Sequence, residues 1–342
     1  MKKLDVALQG GGAHGALTWG VLERLLEDER IIIEGICGTS AGAMNGAMVA
    51  AGLMEGGRQG AIDKLETFWR RVSHWHVFSP AQPSLWDFWF GNAATNGNME
   101  YSPMYLMTQA ATLVSSPYQL NPLNFNPLRG ILLELVDFES LQSCDKTCLL
   151  VCATEVRTSK GRIFTGDDLT VDAILASACI PHMFQAVIID GEAYWDGGFL
   201  GNPPLLPLIQ STDTDDVLLV QINPIHIERV PQTAGEIRDR VNELSFNTSL
   251  LHELRLVDLL SRLWKDGKIM EGVVPGFREF HLHAINPEAM MDNHGASSKI
   301  NASWWYLQGL RQKGYELADA WLEEHYEAIG VRSTCNLFDL FY

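Results

Sequence analysis

The chain has 342 residues, 46% hydrophobic and 20% charged, which suits one large α/β domain with or without a cap and excludes a disordered or fibrous protein. Its net charge of −17 argues against nucleic acid as a partner and against electrostatic docking on anionic lipid, so that any membrane contact has to be apolar. Six cysteines mostly in apolar runs without C-x-x-C spacing, no leader after Met1-Lys2-Lys3 and no run of ~18 apolar residues together read as a cytoplasmic protein without a membrane span.

Leu4 to Leu8 predicts a short strand that runs into Gly10-Gly11-Gly12-Ala13-His14-Gly15, and Ala16 to Glu29 carries helical periodicity through Leu17, Val21, Leu22, Leu25 and Leu26. The apolar run Ile31 to Cys37 supplies the next strand, which completes a βαβ unit of a parallel sheet. That strand ends in Gly38-Thr39-Ser40-Ala41-Gly42, a G-x-S-x-G ahead of small residues, the layout of a nucleophile elbow with Ser40 at a helix N-terminus. By itself the motif reads equally as a helix start capped by Ser40 or Thr39.

The glycine loop also has two readings. It matches G-x-G-x-x-G with Glu34 about 20 residues beyond, as in a dinucleotide-binding oxidoreductase, but Glu34 stands mid-strand and not at the strand's end, where a ribose would lie. In a parallel sheet both βα turns open on one edge, so the loop can instead face Ser40 and offer the amides of Gly11 and Gly12 to an oxyanion.

Glu55 to Val72 predicts another helix. From Ser73 to Tyr105 the chain turns aromatic, with Trp75, Phe78, Trp86, Phe88, Trp89, Phe90, Tyr101 and Tyr105, and Pro80, Pro83, Gly91 and Gly97 break any regular element there. With the irregular stretch Ser115 to Pro127, residues 73–127 read as a cap whose aromatics pack into a core, an exposed lipid-facing surface being the alternative. A helix over Gly130 to Ser140 and a buried strand over Thr147 to Thr154 follow, and Arg162 to Thr165 pairs with that strand. After a helix stopped by Pro181, a hairpin turning at Asp190-Gly191 delivers Asp196-Gly197-Gly198 to a loop, which alone reads as an Asp-Gly turn. A strand over Val217 to Asn223, a helix over Ala234 to Lys265, a strand over Phe277 to Ile285 and a helix over Ala302 to Ala328 complete the chain, and the apolar tail 337–342 is expected to dock.

No H-x-x-x-H or comparable cluster supports a metal site. Asp292-Asn293-His294-Gly295 stands where an α/β-hydrolase triad would place its histidine, yet in that fold the serine elbow follows several strands, and Ser40 follows only the second.

Taken together, the glycine loop, the Ser40 elbow and Asp196-Gly197-Gly198 resemble the patatin-like phospholipases. Ala153-Thr154-Glu155, Ala176 to Pro181 and Asn202-Pro203-Pro204 are similar too, and the resemblance covers Leu4 to about Asn223. It implies one domain over 1–342, a three-layer α/β/α sandwich on a mainly parallel sheet, with the cap over 73–127 and a helical region over 234–342. It further implies a lipid acyl hydrolase without cofactor or metal: Ser40 the nucleophile, Asp196 its base, and Gly11, Gly12 and Ala13 the oxyanion hole. Gly10, Gly15, Gly38, Gly42, Gly197 and Gly198 complete the motifs. The family pattern has an acidic residue before the glycines and an arginine or lysine near their end, where this chain has Gln9 and His14, so whether His14 supports the loop electrostatically stays open. An oxidoreductase using the Gly10 to Gly15 loop and a catalytically idle lipid- or protein-binding relative are the alternatives.

Overall fold

β1 (Lys2–Leu8), α1 (Gly15–Glu27) and β2 (Ile31–Gly38) open the chain as a parallel βαβ unit, with Leu8 opposite Gly38 at the strands' C-terminal ends. The computed structural model describes residues 1–79, 81–90, 93–268, 273, 278–291 and 294–335. α2 (Ala41–His76) follows directly and is broken at Gly56 and Gly57, Gly57 taking a left-handed φ of 62°, so the two helices expected from the sequence run as one interrupted element.

The cap differs from its sequence reading in two ways. Between its prolines and glycines stand short helices, α3 (Leu85–Phe90), α4 (Ala93–Asn96), α5 (Pro103–Val114) and α6 (Pro117–Leu120). Pro103 and Pro117 start helices and do not break them, because a first-turn proline gives up an N–H that has no helical partner anyway; Ser102 caps α5 by accepting from the Tyr105 N–H. The aromatics also do not form a core: Phe78 is 81% exposed and Trp89 74%, and Trp75, Trp86, Phe88, Phe90 and Tyr101 are exposed as well. α5 buries no residue at all.

α7 (Pro127–Leu135) and α8 (Phe138–Gln142) replace the single helix expected over 130–140, and β3 (Cys148–Glu155) and β4 (Lys160–Phe164) then pair antiparallel. α9 (Val171–Ser177) leads to the hairpin β5 (Val187–Ile189) and β6 (Glu192–Asp196), after which come α10 (Leu205–Ser211), β7 (Asp216–Val220), α11 (Ala234–Lys265), β8 (His281–Ile285), α12 (Glu288–Met291) and α13 (Trp304–His325). The sheet order is β5-β6-β3-β2-β1-β7-β8, parallel from β3 to β8, with the antiparallel hairpin on one edge and β4 also paired to β3. The apolar tail and Phe277 lie outside the described residues.

Successive residues of a strand face opposite sides, and both sides are covered. Leu4, Val6, Leu8, Leu218 and Val220 pack into the larger core with α1, α2 and α13, while Ala7, Cys37, Val217 and Leu219 pack with α10 and α11. This is the three-layer sandwich, and it sets the ends of β1, β2 and β7 along one edge of the sheet.

Candidate active site

Ser40 links β2 to α2 at φ 55° and ψ −118°, a conformation costly for a residue with a Cβ, by ~1–3 kcal/mol. The chain around it tolerates nothing larger than glycine at two points: a Cβ on Gly38 would lie 2.4 Å from the Gly42 carbonyl carbon, and one on Gly42 2.3 Å from the Leu8 oxygen. Strand and helix therefore meet at van der Waals contact, and the turn holds Ser40 at the mouth of the parallel edge. Its amide donates to Ser177 Oγ at 2.9 Å, and the neighbouring Thr39 hydroxyl donates to the Gly201 carbonyl at 2.5 Å.

That second bond ties the elbow to the loop that follows Asp196. Asp196 ends β6 opposite Ala153 of β3, its amide donates to the Cys179 carbonyl at 2.9 Å, and its carbonyl accepts from the Thr154 hydroxyl at 2.8 Å. The carboxylate is 1% exposed. Oδ1 accepts from the Gly198 N–H at 2.8 Å, while Oδ2 is buried without a hydrogen bond of regular geometry. Burial pushes the carboxyl up to about 7, against the opposing pull of the Gly198 amide and the Ser40 hydroxyl. The serine contributes to that balance although no hydrogen bond of regular geometry joins it to the carboxylate, as is common in unliganded sites.

The glycine loop closes the third side. Gly10 N–H donates to Asn202 Oδ1 and Gly10 O accepts from Asn223 Nδ2, both at 2.7 Å. Gln9 is fully buried and structural: Oε1 accepts from the amides of Ile222 and Asn223, each at 2.8 Å, and Nε2 donates to Asn247 Oδ1 at 3.0 Å. An acid there would bury a charge against an asparagine, and the amide side chain meets both donors and acceptor neutrally. Gly12 takes a left-handed φ of 61°. Gly11, Gly12 and Ala13 border one cleft of about 430 Å³ with Ser40 and Asp196, and its walls are largely apolar, among them Met44, Phe68, Trp69, Leu128 and Ile131.

Three sequence-derived candidates fall elsewhere. His14 does not line the cleft; it is buried, its Nε2 2.7 Å from Ser298 Oγ, its ring edge-on to His294. Burial and the positive charge of Lys299 hold it well below 6.5, so it is neutral and supplies no cation to the loop. His294 stacks on Tyr306 and is likewise absent from the cleft lining, and Asp292 and Asn293 lie outside the described residues. Glu34, the dinucleotide candidate, is bound to Lys3 Nζ at 2.6 Å and to the Thr214 hydroxyl.

His76 does line the cleft, but it stands seven residues, ~10 Å along the helix, beyond the wall residue Trp69, and burial lowers it to about 4. Sequence reasoning gave Asn223 and Lys299 no role. Asn223 is signalled only as a polar residue ending an apolar strand, and Lys299 carries no signal, since nothing local marks a residue brought to the loop from the far end of the chain.

The mainly parallel α/β/α sandwich thus brings a strained serine and a buried aspartate into one cleft. A family model described as patatin-like phospholipase matches residues 6–209, and the chain belongs to that family. No curated protein matches the chain. Among solved structures, VipD from Legionella pneumophila is similar at 16% identity and a TM-score of 0.39, covering 94% of this chain and 67% of that one.

Proposed function

We propose that the protein is a lipid acyl hydrolase that cleaves carboxylic esters through an acyl-Ser40 intermediate. Ser40 Oγ attacks the ester carbonyl as Asp196 Oδ2 takes its proton; the oxyanion forms against the amides of Gly11, Gly12 and Ala13. Asp196 returns the proton to the departing alcohol, and a water deprotonated by the same carboxylate then releases the acid. A carboxyl near 7 suits both directions of transfer at neutral pH. The apolar walls take the acyl chain, and the exposed cap aromatics meet the lipid surface, the contact left to a chain of net charge −17.

The observation that carries this reading is the unpartnered, fully buried Asp196 Oδ2 in the cleft that holds Ser40 in a strained turn. A hydrolysis panel of esters of graded acyl length, run on the protein and on Ser40→Ala, tests it. Turnover of medium or long esters that Ser40→Ala abolishes is expected; equal rates in both proteins would overturn it.

A further inference from the structure

Lys299 is the one lysine or arginine among the described residues that line the cleft, as Asp196 is the one carboxylate. It belongs to a 3-10 turn, Ala296–Ile300, that is pressed against the glycine loop. A Cβ on Gly12 would lie 2.3 Å from the Lys299 carbonyl oxygen and 3.5 Å from its Cβ, so the lysine's stem starts beside the glycine loop that lines the cleft with Ser40. The acids whose fields reach the ammonium are Glu243 and Asp239. Both are engaged elsewhere: Glu243 with Arg240 at 3.1 Å, and Asp239 by accepting from the Ala296 N–H at 3.2 Å. No ion pair or side-chain hydrogen bond joins Lys299 to any described residue, and the side chain is only half-buried.

An ammonium that Glu243 and Asp239 reach only at a distance, in a largely apolar cleft, is stabilised by an anionic group that arrives with the substrate. We propose that Lys299 binds an anionic group of the substrate close to the scissile ester, and that the cleft thereby selects anionic over uncharged esters. The inference rests on the acyl hydrolase reading. The geometry suits a 1-acyl glycerol 3-phosphate, in which six bonds, roughly 7 Å, separate the acyl carbonyl carbon from phosphorus. A carbonyl at Ser40 with its oxygen on the glycine loop then leaves the phosphate within the span of a lysine rooted against Gly12. The net charge of −17 repels anionic lipid at long range, so the discrimination comes from this one contact inside the cleft and not from the surface.

The test uses the inactive Ser40→Ala protein, so that binding is read without turnover. A 1-acyl glycerol 3-phosphate and the 1-monoacylglycerol of the same chain length, both as monomers, are titrated by calorimetry into Ser40→Ala alone and with Lys299→Met or Lys299→Arg added. The phosphate ester should bind about ten- to a hundredfold more tightly than the monoacylglycerol, the scale of one charge-assisted hydrogen bond. Lys299→Met should bring that ratio to near one, and Lys299→Arg should keep most of it, which a merely structural lysine would not do. A ratio near one in the parent, or a ratio that Lys299→Met leaves standing, overturns the proposal. Failure of the hydrolase reading shows separately, as an active-site serine that turns over no ester in the wild-type panel.

Discussion

Asp196→Asn should make the protein more stable while removing its activity, and the gain should depend on pH. An aspartate whose carboxyl rises from 3.8 to about 7 on folding binds its proton more tightly in the folded state. Its contribution to stability is thus fully present below pH 3.8 and is lost progressively as pH rises through about 7. Over that window the ionised carboxylate costs the fold up to ~4 kcal/mol, at 1.36 kcal/mol for each pH unit between the two values. Asparagine keeps the acceptor for the Gly198 N–H, carries no charge, and places an N–H₂ where Oδ2 has no partner.

Denaturant unfolding of both proteins at pH 5 and pH 8.5 reads the effect. The variant should gain ~2–3 kcal/mol on wild type between the two conditions, because about two pH units of the window lie above pH 5, and less if water enters the cleft. A difference in stability that is the same at both pH values would refute the buried, proton-holding aspartate. Ester turnover by the wild type should rise with pH through the same region, since the base works only when ionised.

Other consequences are equally concrete. Trp86→Ala and Trp89→Ala, both at exposed cap positions, should lower activity on aggregated lipid at least severalfold more than on a short soluble ester, with stability within about 0.5 kcal/mol; equal loss on both substrates with a lowered melting temperature would return these residues to the core. His14→Arg, which restores the family's cation, should lose at least ~3 kcal/mol of stability by forcing a charge between Ser298 and His294, and a folded, more active variant would contradict the neutral site. Because folding depresses the His14 pKa below 6.5, its contribution is present above that pH and lost as pH falls, so His14→Gln should soften acid unfolding below pH 6.5.

The parts of this architecture that are local in origin were legible in the residues. The βαβ opening follows from two apolar runs around an amphipathic helix, the elbow from glycines flanking Ser40, and the hairpin carrying Asp196 from the Asp190-Gly191 turn. α11 starts at Ala234, where Thr233 and Glu236 form a capping box. What was not legible depends on partners distant in the chain. Aromatic content in the cap does not say which side of a short helix is covered, and here little covers Trp86 or Trp89. Gln9 looked like a departure from the family pattern until Asn223 and Asn247 supplied its partners. His14 could be judged only once Ser298 and Lys299 stood beside it.

The central claim is that Asp196 alone serves Ser40 as base, and it is tested most directly by ester turnover of Asp196→Asn and His294→Ala measured side by side with folding verified. Removing the base should cost on the order of 10³-fold or more in kcat, while His294→Ala should stay within about tenfold of wild type, because its ring packs on Tyr306 and His14 outside the cleft. A folded His294→Ala without activity, beside an Asp196→Asn that keeps most of it, would contradict the dyad and the mechanism built on it.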